Sequence, residues 1–149
     1  MKILSIDTAS NLCTVAVLEN KKCIKEIIVN DARNHSEKIM PVIEQALSES
    51  KLTLQDINLI VCDKGPGSFT GIRIGVGTVL AFKDSLNIPC VGISSLESLA
   101  YNIASDGIIC SLIDAKNNNV YFGVFEKKNN IVTQLEELSF KTIKEIIPI

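Results

Sequence analysis

The sequence predicts an α/β protein of two lobes, each opening on the same strand–turn–strand unit. Three strand-like runs precede any helix, and strands and helices alternate after them. The opening pattern then recurs late in the chain. Leu4-Ser5-Ile6-Asp7-Thr8-Ala9 leads into Val15-Ala16-Val17, and Ser111-Leu112-Ile113-Asp114-Ala115 leads into Phe122-Gly123-Val124. The spacing from Asp7 to Val17 equals that from Asp114 to Val124.

Lys2 to Ile6 is a buried run, Thr14 to Leu18 alternates, and Cys23 to Val29 follows the polar turn Glu19-Asn20-Lys21-Lys22. Together they predict an antiparallel meander. A helix starts near Asn34 or Ser36, where Asn34 and Glu37 have the form of a capping box. Ile39, Val42, Ile43, Ala46 and Leu47 share one face of it, and Pro41 removes one hydrogen bond and bends it slightly. Asn58 to Cys62 reads as a buried strand and Gly65-Pro66-Gly67 as a turn. A helix then runs from about Ser68 or Thr70 to Leu86. After the break at Pro89 come a strand, Cys90 to Ile93, and a helix, Leu96 to Ile103. Strands alternating with helices imply parallel pairing and right-handed crossovers. This order is shared by the ribonuclease-H-like and actin-like folds.

A second unit begins around Asp106-Gly107, giving a first lobe of residues 1–105 and a second of 106–149. A strand from Ile131 and a helix from about Lys141 continue it. Ile146-Ile147-Pro148-Ile149 is too apolar for a solvated end, so the second lobe reads as unfinished.

With 149 residues and 46% hydrophobic content, the chain can bury one core and part of a second. A net charge of −2 supplies no basic surface, which argues against a tight direct hold on RNA. Cys13, Cys23, Cys62, Cys90 and Cys110 are odd in number, widely spaced and free of any C-x-x-C pair. Free core thiols in a reducing compartment explain them better than a zinc site does. The N-terminal apolar run is too short for a signal peptide, and no run is long enough to span a membrane. A cytoplasmic protein is expected.

The most informative segment is Gly65-Pro66-Gly67-Ser68-Phe69-Thr70-Gly71-Ile72-Arg73-Ile74-Gly75. Pro66 between two glycines makes a tight turn, and Ser68 and Thr70 are suitable N-caps. Gly71 and Gly75 leave one helical face without side chains, at about 1 kcal/mol each in helix propensity. Three readings of that face stay open: an anion held at the helix N-terminus, close packing inside the monomer, or a close-packed interface with another chain. The first lacks the Lys-Ser/Thr pair of a P-loop.

G-P-G-S-F-T-G-I-R-I-G resembles the signature stretch of the TsaB (YeaZ) family. The likeness extends to Asp7-Thr8-Ala9-Ser10, Asn34-His35-Ser36-Glu37, and Asp114-Ala115 with Val120-Tyr121. It implies an actin-like fold and a non-catalytic subunit that supports the paralogue TsaD, with the ATPase TsaE as third partner. Their product is N6-threonylcarbamoyladenosine at position 37 of tRNAs reading ANN codons. The resemblance puts pairing with TsaD on the first two helices of the N-terminal lobe. His35, Ile39, Ile43, Phe69, Gly71, Arg73, Gly75 and Val76 are therefore the expected partner-binding residues. A homodimer is expected when the chain is alone, with tRNA reached only through the complex.

In TsaD an H-x-E-G-H stretch puts two metal-binding imidazoles on one helical face. Here Ser95 and Leu99 stand in those places, and neither is a transition-metal ligand. His35 is the only histidine of the chain and is expected to cap or lie on the surface. Actin-like kinases set a D-x-G-T turn against the phosphates. In Asp7-Thr8-Ala9-Ser10 the alanine takes the glycine position, so Asp7, Thr8 and Ser10 are candidates only for a degenerate nucleotide site. No tightly bound cofactor is expected, and ADP or ATP at the complex interface stays open. The rival function is a ribonuclease-H-like nuclease, with Asp7, Asp63 and Glu37 or Glu44 holding two Mg²⁺. A protease built from Ser36 or Ser68, His35 and Asp7 is disfavoured, because His35 and Ser36 are neighbours whose side chains diverge.

Overall fold

The computed structural model describes residues 1–30 and 34–146, which fall into two compact units, Met1–Ile93 and Ser94–Ile149. The first comprises β1 (Lys2–Asp7), β2 (Leu12–Glu19), β3 (Lys22–Asn30), α1 (His35–Glu49), a 3-10 turn (Leu54–Asp56), β4 (Leu59–Asp63), α2 (Phe69–Leu86) and β5 (Cys90–Ile93). Its sheet has the order β3-β2-β1-β4-β5. β1 is antiparallel to β2, with Leu4 opposite Val17 and Ile6 opposite Val15. On its other side it is parallel to β4, with Leu4 opposite Ile60 and Ile6 opposite Cys62.

That register sends Leu4, Ile6, Val15, Val17, Ile60 and Cys62 to one face, as the period of 2 requires. Ile39, Val42, Ile43, Ala46 and Leu47 of α1 close over them, with Val79 and Phe82 of α2. Each Leu, Ile, Val or Phe among them, fully buried, contributes about 1.5–3 kcal/mol.

Two local expectations fail in this unit. The capping box at Asn34 and Glu37 does not form. The Asn34 backbone, at φ −125° and ψ 26°, is not extended as a side-chain cap requires, and its carbonyl accepts from the Glu37 and Lys38 amides instead. At Thr53 the amide and hydroxyl both donate to the Asp56 carboxylate, at 2.9 and 2.8 Å, the amide bond being the one a capping box requires of its third residue. The five free thiols are not all core residues either. Cys13 and Cys62 are buried, Cys90 is intermediate, and Cys23 and Cys110 are exposed.

The second unit contains α3 (Ser95–Tyr101), β6 (Gly107–Asp114), β7 (Asn119–Lys128), β8 (Ile131–Gln134), β9 (Ser139–Thr142) and α4 (Ile143–Ile146). β7 pairs antiparallel with β6 along one edge, and with β9 and then β8 along the other. Leu96 and Ala100 of α3 pack with Ile109, Phe125 and Val132. This burial assigns α3 to the second unit, so the division falls after Ile93 rather than after residue 105. Lys141 lies in β9 opposite Val120, not in a helix, and α4 begins only at Ile143. Of the apolar stretch from Ile146, Ile147-Pro148-Ile149 lie outside the described residues.

The first strand of each unit, β1 or β6, ends in the same turn. The Ala9 amide donates to the Asp7 carboxylate, and the Lys116 amide to Asp114, both at 2.8 Å. The hairpins nevertheless differ by one residue, since Asp7 faces Thr14 whereas Asp114 faces Val120. Val124 therefore faces Cys110, and Gly123, opposite Ser111, is the counterpart of Val17. Equal sequence spacing does not mean equal register, because a one-residue slip turns a side chain to the other face.

Candidate functional site

The carboxyl ends of the parallel strands β1 and β4 lie side by side and carry Asp7 and Asp63. The Asp63 carboxylate accepts from the Gly65 amide at 2.6 Å, which starts the turn into α2. Burial pushes the Asp7 carboxyl above its ordinary range. The Asp63 charge adds to the shift, while the Ala9 amide and His35 oppose it.

The β1 turn and the start of α2 interlock. The buried Thr8 hydroxyl donates to the Gly71 carbonyl at 2.7 Å, and the Ser68 amide donates to the Ala9 carbonyl at 2.6 Å. Ser68 caps α2 by accepting from the Gly71 amide at 3.2 Å. A Cβ on Gly67 would overlap the Ala9 carbonyl, one on Gly71 the Thr8 carbonyl, and one on Gly75 the Thr8 hydroxyl. Of the three readings of the glycine face, packing inside the monomer is therefore the one realised.

This arrangement turns several expected partner-binding residues inward. Gly71 and Gly75 are covered by Thr8, and Ile39 and Ile43 are core. His35, expected as a cap or surface residue, is only 4% exposed. Its Nε2 lies 3.1 Å from the Ser10 carbonyl oxygen, and its Nδ1 is buried with no hydrogen-bond partner among the described residues. Phe69 and Arg73 point outward, and Val76 is half-buried. Phe69 is 68% exposed, with the Arg73 guanidinium stacked 3.8 Å from its ring centre.

The stretches expected to pair, Ile39 to Leu47 and Gly71 to Leu80, also contain Met40, Gly77 and Leu80, which the sequence reading did not single out as contact residues. Leu80 and Met40 are exposed, and a Cβ on Gly77 would meet nothing within 4 Å. The signal was present, because Gly77 lies two residues past Gly75, about 200° round the helix. If Gly75 faces inward, Gly77 must face outward.

Around Asp7, Thr8 and Ser10, the Ala9, Gly65 and Ser68 amides and the Thr8 hydroxyl are all engaged within the unit. Among the described residues no group of three or more His, Cys, Asp or Glu could hold a metal ion. Glu37 and Glu44 are exposed on α1 and do not join Asp7 and Asp63. On α3, Ser95 is buried and Leu99 is exposed. No helix among the described residues is long and apolar enough to cross a membrane.

Residues 22–148 match the family described as TsaD, tRNA N6-adenosine threonylcarbamoyltransferase. A Bacillus subtilis (strain 168) relative, "tRNA threonylcarbamoyladenosine biosynthesis protein TsaB", is 40% identical over 91% of this chain and 59% of its own length. Its Escherichia coli (strain K12) namesake is 33% identical over 99% of this chain and 64% of its own length. The chain thus spans less than two thirds of these relatives. The solved structure of YeaZ from Pseudomonas aeruginosa superposes with a TM-score of 0.85 at 26% identity, covering 93% of this chain and 66% of that one. ROK hexokinase from Thermus thermophilus, at TM-score 0.51 and 14% identity over 83% of this chain and 46% of its own, shares the actin-like fold alone.

Proposed function

This chain belongs to the TsaD family and within it to the TsaB (YeaZ) branch, and from that premise we propose that it is a non-catalytic subunit of the machinery that makes N6-threonylcarbamoyladenosine on tRNA. It binds TsaD, with TsaE as a third component, and the product lies at position 37 of tRNAs reading ANN codons. The tRNA is reached through the complex, which suits a chain of net charge −2. The compartment is the cytoplasm, and the chain self-associates when its partner is missing.

The observation that carries the proposal is the outward face of α2. Phe69 and Arg73 are stacked on each other in solvent, Leu80 is 45% exposed, and Gly77 leaves a gap where a partner helix could come close. An aromatic and an arginine held ready on a rigid helix are typical interface anchors. The non-catalytic role is supported by Ser95 and Leu99, which offer α3 no metal ligands at the i, i+4 spacing. ADP or ATP, if part of the complex, is held at an interface rather than on the β1 turn.

Calorimetric titration with the cognate TsaD tests this. The wild-type chain binds, and the Phe69→Ala/Arg73→Ala double variant binds at least about tenfold more weakly while melting at the same temperature. Failure of the wild type to bind, or equal binding by the folded variant, overturns the proposal.

A further inference from the structure

We propose that the turn Thr8–Ser10 is a clamp that positions both helices of the first unit, with Thr8 fixing the rotation of α2 that turns its docking face outward. The inference rests on the docking function proposed above. One short turn holds the start of each helix. Ser10 offers its carbonyl to the His35 ring at the first residue of α1. Thr8 and Ala9 hold α2 through the Gly71 carbonyl and the Ser68 amide.

Thr8 is wedged into the groove that Gly71 and Gly75 leave open, and a side chain at either position would collide with it. Any other rotation of α2 would bring a neighbour such as Ile72 or Ile74 onto Thr8. The hydroxyl bond to Gly71 then sets where along its axis the helix sits. Because Phe69, Arg73 and Gly77 are fixed relative to Gly71 and Gly75 by helix geometry, locking one face inward orients the other.

Thr8 is thus a positioning residue that touches no partner. Its test uses Thr8→Val, which keeps the shape and removes the hydroxyl, and Thr8→Ser, which keeps the hydroxyl. Affinity for the cognate TsaD and amide exchange along the whole chain are measured for each. Thr8→Val is expected to weaken binding about five- to tenfold and to speed exchange over residues 69–76 but not in β1, β4 or the second unit. Thr8→Ser is expected to match the wild type in both. Unchanged affinity with Thr8→Val, exchange that rises evenly through the first unit, or a Thr8→Ser variant as impaired as Thr8→Val overturns the clamp. Phe69→Ala serves as the control for docking itself. If that variant binds normally, the docking function fails, while the exchange pattern still decides whether Thr8 positions α2.

Discussion

The Thr8 hydroxyl reaches from the β1 turn to the Gly71 carbonyl at 2.7 Å, across a groove that exists because residues 71 and 75 have no side chain. The three glycines of α2 should therefore respond differently to alanine. At Gly71 the new methyl meets a backbone carbonyl that cannot turn aside, so Gly71→Ala should cost about 3 kcal/mol or more. At Gly75 it meets the Thr8 hydroxyl, which can rotate at the loss of its hydrogen bond, so the cost should be about 1–3 kcal/mol. Gly77 faces open space, and Gly77→Ala should stabilise by up to about 1 kcal/mol through helix propensity. Urea midpoints at unchanged m-value measure all three. A Gly77→Ala variant less stable than Gly71→Ala would show that the faces are assigned the wrong way round.

Lys127 of β7 is 5% exposed, and its ammonium donates to the carbonyls of Tyr101 and Ile103 at and just beyond the end of α3. A cation there opposes the negative end of the helix and satisfies carbonyls that have no partner in the next turn. Lys127→Met keeps most of the stem and removes the charge. The expected loss is about 2 kcal/mol, with faster amide exchange in α3. A variant as stable as wild type would mean that solvent satisfies those carbonyls instead.

Asp7 gives the first unit a pH dependence of definite sign. Burial raises its folded pKa above the ordinary 3.8, so the folded chain holds the proton more tightly than the unfolded chain does. The stability this contributes is full below 3.8 and is lost as pH rises through the folded pKa. Asp7→Asn, whose amide oxygen can still accept from the Ala9 amide, should therefore melt higher than wild type at pH 7. The gap should narrow as pH falls toward 4. Melting curves across that range check it, and a variant less stable at pH 7 than at pH 4, relative to wild type, would reverse the sign.

Much of this was legible in the sequence because it is local. The alternation Leu4, Ile6 and the 3.6-residue spacing of Ile39, Val42, Ile43, Ala46 and Leu47 each point at a core, and these side chains form it. Ser68 was readable as a cap because its hydroxyl acts only three residues away. Asn34 and Glu37 fit the same kind of rule and fail, because the Asn34 backbone is not in the extended conformation that a side-chain cap needs. The second hairpin shows the limit again. The equal spacings after Asp7 and Asp114 are real, but the turn length that fixes register differs by one residue.

The sequence by itself determined the order of elements as far as β8, the repeat of a strand ending in aspartate, and the bare stripe of Gly71 and Gly75. Only the tertiary structure decided that the stripe faces Thr8, that His35 is interior, that α3 packs with the later strands, and that the outward residues of α2 are Phe69, Arg73, Gly77 and Leu80. Helical periodicity says which residues share a face. Which way the face turns depends on contacts between residues as distant in sequence as Thr8 and Gly71, and no local pattern records them.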